Sequence, residues 1–316
     1  MFEKIISLIR DYNTVIVHRH CSPDGDAIGS QTGFAEIIRT NFPEKKVFCV
    51  GDPAGRYSFM DGAVMDDIPD ETFSGALSVI LDSATEELVS DNRFRLASKT
   101  ARIDHHIYCE TFTDEEIVDT SFESCAGMVA CFAMEQNLEV SEKAATALFT
   151  GMVTDSGRFR YDSTSAKTFE IAASLMRCNI DTEKIYRNLY CDDLGSVLLR
   201  AHFMSKIRRY KDTPVAYIYT TRDELDSLGI ENVFPISRGM VGTMSDIRGI
   251  DIWVNFTEDG EKVLCELRSS KYNINPVAVK YGGGGHKKAS GADVADYAEA
   301  MKMLDDLVKI TQNDIL

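Results

Sequence analysis

The sequence predicts an α/β fold in two parts. An N-terminal, mostly parallel β-sheet flanked by helices is followed by a smaller C-terminal α/β domain with a mixed sheet. Three observations predict it. Short apolar runs of strand length recur in the N-terminal half, and several end in a polar or acidic turn. Helix-period stretches lie among and after these runs, as in a sheet covered by helices. At 316 residues the chain is long for one domain, so two are expected. The expected boundaries are 1–190 for the first domain, 191–212 for a connecting helix and linker, and 213–316 for the second.

Composition narrows the function classes. With 44% hydrophobic and 27% charged residues, the chain can bury cores of ordinary size. A formal charge of −16 argues against a broad basic surface for long nucleic acid, so no long duplex DNA is expected as a partner. A short phosphate ligand stays open, because bound metals and a few local cations reverse the sign at one site. No run has the length and apolarity of a membrane span, and the N-terminus lacks a basic segment leading into a long apolar one. The eight cysteines follow no disulfide framework or Cys-x-x-Cys spacing, which fits reduced thiols in a cytoplasmic protein with no membrane partner.

The first strand, Thr14–Val17, leads into His20-Cys21-Ser22-Pro23-Asp24-Gly25-Asp26, and a helix is expected from Gln31 to Arg39. One imidazole and two carboxylates in that turn suit a divalent cation that prefers N and O donors, such as Mn or Mg. The plainer alternative is a polar turn in which Asp26 caps the helix. Lys46–Val50 reads as a second strand. Leu77–Leu81 reads as a third, delivering Asp82, which would otherwise be an N-cap for Thr85–Val89. The fourth, Lys99–Ile103, ends in Asp104-His105-His106, where two of only six histidines stand adjacent. Neighbouring imidazoles on an extended segment point apart, so one can ligate a metal while the other faces a phosphate. A fifth strand is expected around Glu116–Asp119, then helices over Ser124–Gln136 and Glu142–Met152. Asp155 follows near a helix end, where a carboxylate gains nothing from the macrodipole. Arg158, Phe159, Arg160 and Tyr161 read equally as cations and stacking faces for a nucleotide or as a solvated edge.

From Ser165 to about Arg209 the pattern is helical. The second domain then opens with the strand Val215–Tyr219 and the helix Arg222–Leu228. Strands are expected over Asp251–Phe256 and Lys262–Arg268, joined by the turn Glu258-Asp259-Gly260. Gly282, Gly283, Gly284 and Gly285 run into His286, Lys287 and Lys288, with Arg268 upstream. Such a run lets backbone N–H groups approach an anion closely, whereas a flexible linker would continue into Ser/Gly filler. A helix over Val294–Ile310 closes the chain.

Together His20, Asp24, Asp26, Asp82, His105 and Asp155 offer six N/O donors, mostly at strand or helix ends. That is enough for two divalent ions about 3.5–4 Å apart sharing a carboxylate, the arrangement that activates water against phosphorus. On these motifs, the sequence resembles the DHH phosphoesterase family, named for the triplet seen here as Asp104-His105-His106. His20-x-x-Pro23-Asp24-Gly25-Asp26-Ala27, Asp82 and Thr154-Asp155-Ser156-Gly157 carry the rest of the match. Gly282–His286 resembles the signature of the associated DHHA1 domain.

The resemblance implies a Mn-dependent phosphoesterase with two divalent ions, its site in the cleft between the two domains. His20, Asp24 and Asp82 would hold one ion; Asp26, Asp82, His105 and Asp155 would hold the other. His106 would face the scissile phosphate, with Asp104 orienting an imidazole. Arg268, Gly283, Gly284, Gly285 and His286 would hold the substrate's terminal phosphate or nucleotide. His18 fits no such role and reads as structural. Size and the glycine–histidine motif most resemble the nano-RNase A group, which degrades very short oligonucleotides (nanoRNA, pApA) and dephosphorylates 3′-phosphoadenosine 5′-phosphate (PAP). Alternatives are a cyclic di-AMP phosphodiesterase and, more remotely, an inorganic pyrophosphatase or a non-catalytic nucleotide-binding module. A homodimer is compatible with all of these.

Overall fold

The computed structural model describes residues 1–313, and the chain divides into two compact units, Met1–Cys191 and the part from Asp192 on. In the first unit the elements are α1 (Glu3–Asp11), β1 (Thr14–His18), α2 (Gly25–Asn41), β2 (Lys46–Cys49), β3 (Leu77–Leu81), β4 (Lys99–Asp104) and β5 (Glu115–Val118). Four helices follow: α3 (Cys125–Glu135), α4 (Glu142–Asp155), α5 (Ala166–Met176) and α6 (Thr182–Tyr190).

All five strands are parallel, in the order β2-β1-β3-β4-β5, with Val17 opposite Cys49 on one side and Val79 on the other. The chain moves outward from β1 in both directions. The carboxyl ends of β1 and β3 therefore flank the switch point where open α/β sheets take their ligands. Ile5, Ile6 and Ile9 of α1, Phe34 and Ile38 of α2 and Phe132 of α3 close one core over Val15, Val17 and Val79.

Helix α2 begins earlier than its composition suggests. Gly25-Asp26-Ala27-Ile28-Gly29-Ser30 reads as a turn, yet it is the first part of the helix. Asp24, not Asp26, is the N-cap, accepting from the Asp26 and Ala27 amides at 3.0 Å each. The glycines serve packing instead. A Cβ on Gly29 would lie 2.5 Å from the Ala147 carbonyl oxygen, and one on Gly25 would lie 2.4 Å from Thr154 Oγ1. Helices α2 and α4 thus meet at backbone distance, which brings Asp26 and Asp155 to the same end of the seam.

The second unit contains α7 (Leu194–Ser205), β6 (Arg208–Arg209), β7 (Val215–Thr220), α8 (Arg222–Ser227), α9 (Phe234–Val241), β8 (Ile252–Glu258) and β9 (Val263–Ser269). It ends with α10 (Asn275–Lys280), β10 (Gly284–Gly285), β11 (Ala289–Val294) and α11 (Tyr297–Asn313). The sheet order is β10-β11-β9-β8-β7-β6, mixed because β7 and β8 run parallel while the other pairs are antiparallel. The last helix starts at Tyr297 and not at Val294, and Ala289–Val294 is a strand the sequence reading did not expect. Its Ala, Ser, Gly and Asp residues have little strand preference, and pairing along β9 imposes the extended form. Phe203 of α7 packs with Leu225, Val233 and Ile236, so this helix belongs to the second unit.

Candidate metal centre and substrate site

Three strands end on one cluster. Beyond β1 comes His20, beyond β3 comes Asp82, and β4 runs into His105 and His106. Asp82 has φ 54°, a left-handed conformation rare for a non-glycine residue, and its carboxylate is 2% exposed. Its Oδ2 lies 3.5 Å from His20 Nε2, and its Oδ1 lies 3.5 Å from His105 Nε2 and 3.6 Å from His106 Nδ1. His105 Nε2 is also 3.7 Å from Asp26 Oδ2 and 3.5 Å from Asp155 Oδ2. His20 Nε2 is 3.8 Å from Asp24 Oδ1.

The donor atoms fall into three overlapping groups: His20, Asp24 and Asp82; Asp26, His105 and Asp155; Asp82, His105 and His106. Within each group they lie within 4.8 Å of one another. Asp82 joins the first group through one oxygen and faces His105 with the other, as a shared carboxylate must.

These residues fit divalent cations. Asp82 Oδ1 is buried without a hydrogen-bond partner, which is costly unless a cation satisfies it. The imidazole–carboxylate separations near 3.5 Å are long for hydrogen bonds but suit donors that share an ion. Electrostatics point the same way. Burial opposes charge on His20, but Asp24 and Asp82 outweigh it and push its pKa up to about 11. Burial is likewise outweighed at His105, where Asp82, Asp26 and Asp155 push the pKa up to about 10. Burial, His105 and the Asp82 charge together leave Asp155 raised to about 6. Burial and the Asp82 charge push Asp26 well above the carboxylate range. The cluster has more negative charge than its imidazoles balance, the field in which hard cations bind.

Asp26 and His106 are held from behind. Asp26 accepts from the Ala126 amide through Oδ1 at 2.8 Å and from the Cys125 amide through Oδ2 at 2.7 Å, at the start of α3. His106 Nδ1 lies 2.7 Å from Asp104 Oδ1, so the Asp104 carboxylate orients that ring and leaves Nε2 on the far side. His18 stays apart: fully buried, it meets Ser78 Oγ at 3.1 Å, and burial pulls its pKa down to about 4.

Two buried guanidiniums next to these donors escaped the sequence reading. Arg19 donates to the His20 carbonyl at 3.1 Å and to Gln31 Oε1 at 2.9 Å. Arg102, fully buried in β4, donates to the Ala84 carbonyl at 3.1 Å and the Glu110 carbonyl at 3.1 Å. It ties the loop after Asp82 to the loop after His106. For Arg102 the available signal was an arginine inside a strand run; Arg19, just past the end of β1 between two histidines, had none so local.

The remaining candidates line one cavity of about 640 Å³ in the second unit, formed by Arg268, Gly284, Gly285 and His286 with Arg238 and Glu266. Glu266 holds both cations, with Oε2 at 3.1 Å from Arg268 Nη1 and Oε1 at 3.5 Å from Arg238 Nε. Gly283 lies in the adjoining cavity. The glycines have more than one reason. A Cβ on Gly283 would come within 2.0 Å of the Gly291 carbonyl oxygen, and one on Gly285 within 2.7 Å of the Ala289 carbonyl oxygen. Gly282 and Gly284 face open space, and Gly282 has the positive φ of 76° that favours glycine. Arg238 sits on α9, far from the glycine run in sequence, and the Ser237-Arg238-Gly239-Met240 stretch around it matches a pyrophosphatase-type motif only in part, without the lysines.

An α/β scaffold with carboxylates and imidazoles converging at its strand ends defines a metal-dependent phosphoesterase. Family models agree: the DHH family N-terminal domain matches residues 14–152 and the DHHA1 domain matches residues 231–313. The chain belongs to the DHH family. It is 34% identical to the bifunctional oligoribonuclease and PAP phosphatase NrnA of Bacillus subtilis, over 97% of both chains. It is 32% identical to the probable NrnA of Streptococcus mutans, over 94% of this chain and 95% of that one. Among solved structures, an exopolyphosphatase-related protein from Bacteroides fragilis superposes with a TM-score of 0.83. The two are 25% identical, over 98% of this chain and 95% of the other.

Proposed function

We propose that the protein hydrolyses short 5′-phosphorylated oligonucleotides to nucleoside monophosphates, and PAP to AMP. Two divalent ions, with manganese the first choice, would serve it. The observation that carries this reading is the position of Asp82, buried and bare at Oδ1 between His20 and His105. The names of the relatives at 34% and 32% identity support the substrate class.

His20, Asp24 and Asp82 would hold one ion, and Asp26, Asp82, His105 and Asp155 the other. Ions so held acidify water and screen the oxygens of a phosphoryl group. The chain's own groups do the rest. Asp26 is fixed by the α3 amides, which keeps the donor geometry open to substrate. Water oxygen attacks phosphorus, the bond from phosphorus to the 3′-oxygen breaks, and that oxygen takes up a proton. His106, oriented by Asp104, presents Nε2 to the phosphate and is the group placed to donate it. Arg268, Arg238, His286 and the Gly283–Gly285 backbone would receive a terminal phosphate. Arg268 and Arg238 beside one cavity, their charge offset only in part by Glu266, favour a terminal dianion, which a cyclic diester lacks.

Purified protein incubated with Mn²⁺ and labelled di- to pentanucleotides should release nucleoside monophosphates, and Asp82→Ala should abolish turnover. Full activity in that variant would remove the dinuclear reading.

A further inference from the structure

Arg158, Phe159, Arg160 and Tyr161 were left open by the sequence, and the fold gives the turn that carries them an unusual form. Gly157, Arg158 and Phe159 take φ values of 57°, 64° and 61°, three left-handed residues in succession. Two of them carry side chains, for which this conformation is unfavourable by about 1 kcal/mol or more each.

The turn is built to hold that shape. The Phe159 amide donates to Ser156 Oγ at 2.9 Å, and its ring packs between Phe149 at 5.8 Å and Phe169 at 5.6 Å. The Tyr161 ring lies over Gly157, where a Cβ would approach it to 2.4 Å. With Phe159 plugged inward, Arg158 turns to the opposite side and stacks on Tyr190, its guanidinium carbon 4.8 Å from the ring centre.

A second pair sits beside it. Arg56 stacks on Tyr57 at 5.1 Å and donates to the Leu189 carbonyl at 3.3 Å, the residue before Tyr190. Tyr57 in turn lies in the field of Asp24 and next to the Gly25 amide. The two arginine–tyrosine stacks thus meet at Leu189–Tyr190, one three residues past Asp155 in the chain and the other with its tyrosine in the field of Asp24.

We propose that Arg56, Tyr57, Arg158 and Tyr190 form a ledge that stacks the nucleoside on the far side of the scissile phosphate. Planar cations fixed on aromatic rings offer π faces to any base and N–H groups to its phosphate. Such a ledge holds a second nucleoside without reading its identity. It rests on the phosphoesterase reading above and sharpens it. A dinucleotide engages the ledge, whereas PAP has only one nucleoside and gains less from it.

The test compares kcat/KM for pApA with that for PAP in the full chain with Mn²⁺, for wild type, Arg158→Ala, Arg56→Ala and Arg158→Lys. The ratio for pApA over PAP should fall about tenfold in each alanine variant, mainly through KM for pApA, since one stacked base is worth about that much. Arg158→Lys should recover part of the loss. Calorimetric titration of the same proteins with pApA and AMP, without added metal, reads the ledge independently of turnover. There the alanine variants should lose affinity for pApA more than for AMP. A pApA/PAP ratio and a pApA/AMP affinity ratio both within twofold of wild type would overturn the ledge. Should wild type hydrolyse neither substrate, the phosphoesterase reading fails, and the titration alone decides the ledge.

Discussion

Asp104 is enclosed beneath His106 and meets its Nδ1 at 2.7 Å, so it sets the ring's tautomer without approaching the substrate itself. Replacing it with the isosteric asparagine would leave the fold but loosen that choice. We expect kcat to fall about 10- to 100-fold in Asp104→Asn with a smaller change in KM. Steady-state kinetics checks this, and equal rates would mean His106 is oriented by something else. A second carboxylate, Asp306 of α11 in the second unit, sets a pH dependence of stability. Burial would raise Asp306, but Lys280, Lys309 and Tyr281 hold its pKa down to about 2. A depressed native pKa stabilises the fold above the unfolded value of about 3.9. That stabilisation is lost as pH falls from about 4 towards 2. Asp306→Asn should lower Tm at pH 7 and converge with wild type near pH 2, as thermal melts across that window would show.

At the scale of elements, the seam between α2 and α4 decides where two acidic donors stand. Gly29 meets backbone atoms of Ala147 and Gly151, which cannot swing aside as a side-chain tip can. Gly29→Ala should therefore cost about 1–3 kcal/mol by overpacking, measurable by urea denaturation. A variant as stable as wild type would show that the helices separate freely. The same seam explains a limit of sequence reading. Two glycines, at positions 25 and 29, look like turn formers in isolation. Only the approach of α4, more than a hundred residues later, shows that they are contact points within a helix. Strand β11 was hidden for a related reason, since its residues take their conformation from β9. By contrast, Asp82 and the Asp104–His106 triplet were legible, because a short apolar run closed by polar residues is a local signal. Arg238 and Glu266 were not, since what unites them with Gly284 and His286 is a cavity. The side on which Arg158 would lie was not legible either, because it follows from Phe159 packing against Phe149 and Phe169.

For the whole molecule, a formal charge of −16 confines phosphate binding to local sites. Such a protein engages few phosphates at once, so few counterions are released on binding. With about one or two phosphates neutralised, raising salt from about 50 to about 200 mM should weaken dinucleotide binding by less than about tenfold. A drop of about a thousandfold would indicate an extended basic track instead. In the described residues no helix is long and apolar enough to cross a membrane.

The donor set also has a bearing on how the chain matures. Its members come from three different strand ends and two helices, the last of them Asp155 at the close of α4. No short stretch of nascent chain carries more than a fragment of it, so a partly synthesised protein offers only weak, scattered purchase to passing cations. Full affinity arrives when the sheet is ordered and α4 has docked along α2. Ions bound by the full donor set would therefore stabilise the assembled topology and little else.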